Sequence, residues 1–285
     1  MSISSRPQQR TQGGATSPST NRPQRSTKPE WKKVAIPSEH GGWSLTLEPV
    51  VLGLIASWSI AGLLVGIATL LVFLARTPLK VVLVDRWRDR WLPRTALAAK
   101  FAAAELSVVI ASMAAAIALA DDFGFLAPAA FALPLVAIEL WFDMRSKSRR
   151  LLPELAGAIG IGAAATVIAL AGGLGTKVAY GLWLLVAGRA CAALPFVRTQ
   201  LDRAAQRPVS LVPSDVAQAA VLFVCAVGAS QHMVPWAGVV AIGVMAVADW
   251  VMVRRPPQRA VLIGAQQSVI GLVVVLADGI AVHSL

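Results

Sequence analysis

The stretch IPSEHGGWSLTLEPVVLGL, residues 36–54, passes directly from the charged pair Glu39–His40 into an apolar segment that keeps one carboxylate, Glu48. A glutamate placed there sits where an ionised group is most expensive. That cost is tolerated when the side chain faces the interior of a helical bundle and finds a partner. The stretch therefore predicts a membrane helix with an inward polar face, and the rest of the chain can be tested for the same pattern.

The composition agrees. Of 285 residues, 56% are hydrophobic and 14% charged, against about 25% charged in an average soluble domain. Mean hydropathy is +0.66. Windows of about 20 apolar residues, the length that crosses a bilayer, fall at 43–61, 62–84, 95–120, 123–142, 151–172, 176–197, 214–231, 233–252 and 259–281. The expected fold is all-α, a polytopic bundle of about nine transmembrane helices over residues 35–285. Residues 1–34 are rich in Ser, Thr, Pro, Gln and Arg and are expected to form a disordered basic tail.

The net charge of +11 could indicate nucleic acid, but its distribution along the chain indicates topology instead. Of the 26 Lys and Arg residues, 25 fall in the tail, in alternate loops or in the helix halves next to those loops, and Lys177 alone falls on the other side. By the positive-inside rule the N-terminus is cytoplasmic and the C-terminus outside. Nucleic acid is not an expected partner; the lipid bilayer is. Cys191 and Cys225 lie in separate apolar segments and make neither a disulfide framework nor a zinc site.

Four charged residues fall well inside the spans: Glu48, Arg76, Glu105 and Arg189. At 1.5 Å per residue each lies about 13–15 Å deep. The set is neutral, and pairing of Glu48 with Arg189 and of Arg76 with Glu105 is expected. Nearer the cytoplasmic side, LARTPLKVVLVDRWRDR (74–90) places Arg76 and Lys80 four apart, and then Asp85 and Asp89. LPFVRTQLDRAAQR (194–207) places Arg198 and Asp202 four apart. Residues four apart share a helix face. Asp85, Asp89 and Asp202 are candidate ligands for Mg²⁺, which takes carboxylates plus substrate phosphates. Arg76, Lys80, Arg145 and Arg198 are the candidate phosphate contacts. Surface ion pairs with the neighbouring Arg86, Arg88 and Arg90 are the competing local reading of the aspartates.

Two resemblances follow from these motifs. IPSEHGGWSLTLEPVVLGL with FLARTPLKVVLVDRWRDRW (73–91) resembles the YwiC-like family of bacterial integral membrane proteins, with Glu39 and His40 as its N-terminal motif. More remotely, the layout is similar to UbiA-type prenyltransferases, which have nine helices and aspartate-rich motifs after helices 2 and 6. That resemblance implies a UbiA-like arrangement in the inner membrane, with an isoprenoid or lipid diphosphate bound at the cytoplasmic face. If the chain is an enzyme, it implies a prenyltransferase-like transferase. The first family motif begins Asn-Asp, whereas the matching region here begins Arg76–Thr77, and the second motif is reduced to Asp202. A metal-diphosphate site on this chain would have been rebuilt with arginines.

His40 is expected on one side and His232 and His283 on the other, so a transmembrane haem pair is not expected. Prolines at 49, 78, 134 and 195 suit a bundle that lines a polar interior. Three function classes remain: an intramembrane enzyme or binding protein for a lipid diphosphate, a carrier for a small anion using Arg76 and Arg189, and a scaffold with a structural polar core. Nine helices do not divide into two equal repeats, the usual carrier plan, which favours the first class.

Overall fold

Small side chains let one helix of this chain pack closely against its neighbours. The computed structural model describes residues 40–145 and 150–285. Among them are nine α-helices and no strand: α1 (His40–Ala56), α2 (Ile60–Trp87), α3 (Pro93–Leu119), α4 (Ala127–Met144), α5 (Leu151–Ala171), α6 (Thr176–Ala204), α7 (Val212–Ser230), α8 (Trp236–Arg254) and α9 (Ala260–Ala281). The tail expected over 1–34 and the motif residue Glu39 lie outside the described residues. Eight helices are long and apolar enough to cross a membrane, and the apolar part of α1, Gly42–Ala56, is shorter. The helix expected over 43–61 stops at Ala56, because Ser59 caps the next one: its Oγ accepts from Gly62 N at 2.9 Å.

The central helix is α5, buried on nearly every side through Gly157, Gly160, Gly162 and the run Ala163–Ala164–Ala165. Backbones approach closely where residues are small. A Cβ on Gly53 of α1 would collide with Ala165 O and Ile168. Thr166 Oγ1 donates to Ala179 O of α6 at 2.7 Å, and Trp183 Nε1 of α6 donates to Ile159 O at 2.7 Å. One apolar cluster joins α1 and α5 to α2 and α3, through Val50, Val65, Ala116 and Ile168. A second joins α1 and α5 to α6–α9, through Leu52, Leu185, Cys225, Ile242 and Val275. The remaining large apolar side chains, such as Ile110, Phe131 and Val240, point outward, as lipid-facing residues should.

The two ends of the bundle differ in chemistry. At one end, Ser57 Oγ donates to Gly172 O at 2.7 Å and His283 Nε2 lies 3.1 Å from Ile55 O, with Trp58, Phe123 and Trp236 exposed around them. The other end carries the basic loops, with Trp87, Trp91, Trp141 and Trp250 exposed. Two tryptophan-bearing rims flanking an apolar surface are the pattern of a membrane-embedded bundle. At the basic end α2 and α6 stop with left-handed residues, Asp89 (φ 48°) and Gln206 (φ 56°). The following amides, Arg90 N and Arg207 N, close onto Asp85 O and Asp202 O, each at 3.0 Å.

Candidate functional site

The opening glutamate is paired. Glu48 Oε2 lies 2.9 Å from Arg189 Nη1, and both side chains are almost wholly inside the bundle. Pro49 follows Glu48 within α1, and Pro195 sits one and a half turns beyond Arg189 in α6. The guanidinium also donates through Nη2 to Gln267 O of α9 at 2.6 Å. Gln267 in turn donates Nε2 to Asp249 Oδ1 of α8 at 2.8 Å. Asp249 Oδ2 accepts from Gln218 Nε2 of α7 at 2.9 Å. Five helices thus contribute one residue each to a continuous network.

Two features of this network bear on chemistry. It holds two acids, Glu48 and Asp249, and one base, Arg189, so with all three ionised it carries one negative charge in excess. Glu48 Oε1, Gln218 Oε1 and Gln267 Oε1 are buried oxygens without a hydrogen-bond partner. Buried polar atoms are nearly always satisfied, and here three acceptors and one donor, Arg189 Nε, are not. Gly271, one turn after Gln267, keeps the space open: a Cβ there would collide with Glu48 Oε1 and Arg189 Nη2.

The pairing expected between Arg76 and Glu105 is replaced. Arg76 Nη2 lies 2.8 Å from Glu139 Oε1 and its Nε 3.2 Å from Asp143 Oδ2, while Lys80 Nζ lies 2.9 Å from Asp143 Oδ1. Two cations four apart on α2 therefore meet two acids four apart on α4, which is the stronger geometric match. Glu105 is left with Oε2 buried and without a partner.

The candidate phosphate contacts are already engaged. Besides Arg76 and Lys80, Arg198 lies 2.9 Å from Glu154 of α5, and Arg145 stacks 4.2 Å over Trp141 and 6.0 Å from Trp87. Between α2 and α6, α5 packs on both. A surface depression of about 520 Å³ does occur at the basic end, but it is lined by Arg203, Gln206, Arg207, Pro208, Val209 and Pro257.

The three candidate metal ligands are not brought together. Asp85 is buried and held by Arg90 at 2.7 Å, Arg94 at 3.1 Å and Thr95 Oγ1 at 2.7 Å, so it fixes the α2–α3 turn. Asp89 is the exposed left-handed residue that ends α2. Asp202 pairs with Arg207 at 3.0 Å. Among the described residues no group of three His, Cys, Asp or Glu side chains is placed to hold a metal ion. The residues present do not fit Mg²⁺: the one buried carboxylate of the three has both oxygens taken by cations and a hydroxyl. His40 opens α1, and its side chain lies outside what is described.

Sequence reasoning passed over Glu139, Gln218, Asp249, Gln267 and Asp278. The signal was present: VADWV (247–251) and VLADGI (275–280) each set one aspartate in an apolar run, and Gln267, Gly271 and Asp278 fall on one face of α9.

Residues 36–169 match the family model described as YwiC-like protein. Over that part the chain is similar to this family, and the EHGGW and R-x-P-L motifs fall within the matched residues. The match covers α1 to α5, so Glu48 is the one member of the buried network that it contains. Comparison with curated proteins and with solved structures returns no match.

Proposed function

We propose that this multi-pass membrane protein is a carrier whose working group is the Glu48–Arg189–Asp249 network, and that the ion it takes up there is a proton or a small monovalent cation. The observation that supports this reading is the imbalance of two buried acids against one buried base, beside three buried oxygens without a partner. Ionisable residues inside a bundle mark ion and proton pathways more often than they serve as struts. A net negative site favours a cation, which reverses the sign of the anion carrier expected from Arg76 and Arg189. In this reading the chain resides in a bacterial inner membrane with its basic face and N-terminus in the cytoplasm. Asp121→Cys and Lys177→Cys should then label from outside the cell, and Arg88→Cys only after permeabilisation.

The test is reconstitution into proteoliposomes with a pH-sensitive dye or labelled Na⁺ inside. Wild-type protein should dissipate an imposed proton or sodium gradient, and Glu48→Gln or Asp249→Asn should reduce that flux at least tenfold. Equal flux in wild type, both variants and empty vesicles would overturn the reading.

A second reading keeps a prenyl or lipid diphosphate at the basic face. It is favoured by Arg145, which lies over Trp141 and Trp87 at the rim where headgroups would sit. It would bind phosphate by exchange with Glu139, Asp143 and Glu154, without the metal that a departing diphosphate uses. Binding without prenyl transfer is the form of this reading that the ion pairs allow.

A further inference from the structure

Outside its central network, the proposed carrier contains a buried acid, Asp278, that has no ion-pair partner among the described residues. Asp278 lies on α9, seven residues beyond Gly271, and is wholly inaccessible to solvent. Seven residues span about 10.5 Å along the helix, so Asp278 sits two turns from the Glu48–Arg189 pair, toward the end of the bundle that carries no basic loops. Neither of its carboxylate oxygens has a hydrogen-bond partner.

Its surroundings are apolar. Val274 and Val275 of α9 and Val282 just beyond its end flank it, and all three are buried. A Cβ on Gly238 of α8 would collide with Asp278 Oδ1, and Leu185 of α6 closes on the same position. Leu185 and Cys225 of α7 belong to the same apolar cluster as the three valines. Around this carboxyl the titratable groups are Cys225 from α7, then Glu48 (α1), Arg189 (α6) and Asp249 (α8) two turns deeper, and His283 at the end of the chain. Among the described residues none of these forms an ion pair with it. An ionised carboxylate in such a place would cost many kcal/mol, and the group neutralises instead. A metal cation would need several oxygen ligands, whereas leucine, valine and glycine line this site.

We propose that Asp278 carries a proton in this state and forms a second proton-binding station, on the side of the membrane opposite the basic face. The assignment of a transport role rests on the carrier reading above; the bound proton itself does not. Val274 and Val275 lie between this station and the central network. They sit midway along the two helical turns that separate the stations, so an apolar layer divides the two in this state. That layer would have to open for a proton to pass from Asp278 to Glu48.

Infrared spectroscopy of the purified protein reads the proton directly. At neutral pH the wild type should show a carboxylic-acid carbonyl stretch that is missing from Asp278→Asn and retained in Glu48→Gln. A band unaltered in Asp278→Asn would overturn the proposal. Should that variant not fold, dicyclohexylcarbodiimide tests the wild type. This reagent adds across the O–H of a neutral carboxyl: the acid oxygen bonds to the central carbon and the proton moves to nitrogen. The adduct rearranges by acyl migration to a stable N-acylurea, with no leaving group. Mass spectrometry should find that adduct on Asp278 at least tenfold above Glu48, and adducts on Glu48 but not Asp278 would overturn the proposal. Proteoliposome flux then separates the two ideas. A proton on Asp278 with no wild-type flux removes the carrier but leaves the bound proton. Wild-type flux equal to that of Asp278→Asn removes the station and leaves the carrier.

Discussion

Arg189 Nη1 lies 2.9 Å from Glu48 Oε2, while Nη2 of the same guanidinium lies 2.6 Å from Gln267 O. One arginine therefore ties α1 to α9 from its own position on α6. Removing one partner of a buried pair typically costs about 3–5 kcal/mol, because the other is left uncompensated. Glu48→Ala and Arg189→Ala should each lower the detergent Tm, with the double variant less destabilised than the sum of the two. Strictly additive losses in that double-mutant cycle would mean that the contact contributes nothing.

Gly271 gives an independent check on the same contact. A methyl group there would meet Glu48 Oε1 and Arg189 Nη2, whereas Gly264, two turns earlier on α9, has open space beyond it. Gly271→Ala should therefore lower the Tm by several degrees, and Gly264→Ala should leave it unchanged or raise it slightly, since alanine favours a helix. Equal Tm values for the two variants would show that the helices do not close around Gly271 as described.

The helix content and most helix boundaries were legible because hydropathy over 20-residue windows reports a one-dimensional property. The Glu48–Arg189 pair was legible for a related reason: both residues stand alone in long apolar runs at matched depth. The Arg76 partner was not. Choosing Glu139 and Asp143 over Glu105 requires knowing that α4, and not α3, presents acids four apart to the Arg76–Lys80 face. The separation of Asp85 from Asp89 was hidden for a related reason. Asp85 and Asp89 share a face only if the helix continues, and α2 ends at Trp87, with Asp89 in a left-handed turn. The central position of α5 was also hidden, because its Gly and Ala residues give no polar signal of what they pack against.

The α2–α4 ladder should behave as a structural lock. Asp143 is fully buried and serves both Arg76 and Lys80, so Asp143→Asn leaves two cations with less compensation. Its Tm should fall further than that of Lys80→Ala, which removes one half-exposed side chain. Combining Lys80→Ala with Asp143→Asn should recover part of the loss, and flux through reconstituted vesicles should survive in all three. Loss of flux with an unchanged Tm would move the working site from the central network to this ladder.

Asp85 has both oxygens engaged, by Arg90, Arg94 and Thr95, and Asp202 is held by Arg207. To bind Mg²⁺ the protein would have to break those contacts and bring α2 and α6 together past α5. Thermal-shift titration with an isoprenoid diphosphate should therefore give the same result with and without Mg²⁺. Asp85→Asn alone should lower the Tm, because it loosens the turn that joins α2 to α3, and Asp89→Asn should not. A shift that is independent of Mg²⁺ and lost in Arg145→Ala would support the lipid-phosphate reading of the basic rim. A Mg²⁺-dependent shift abolished by Asp85→Asn with Asp89→Asn would mean that the bundle opens into a different arrangement when substrate arrives, and a metal-assisted reaction would then be the better account of this protein.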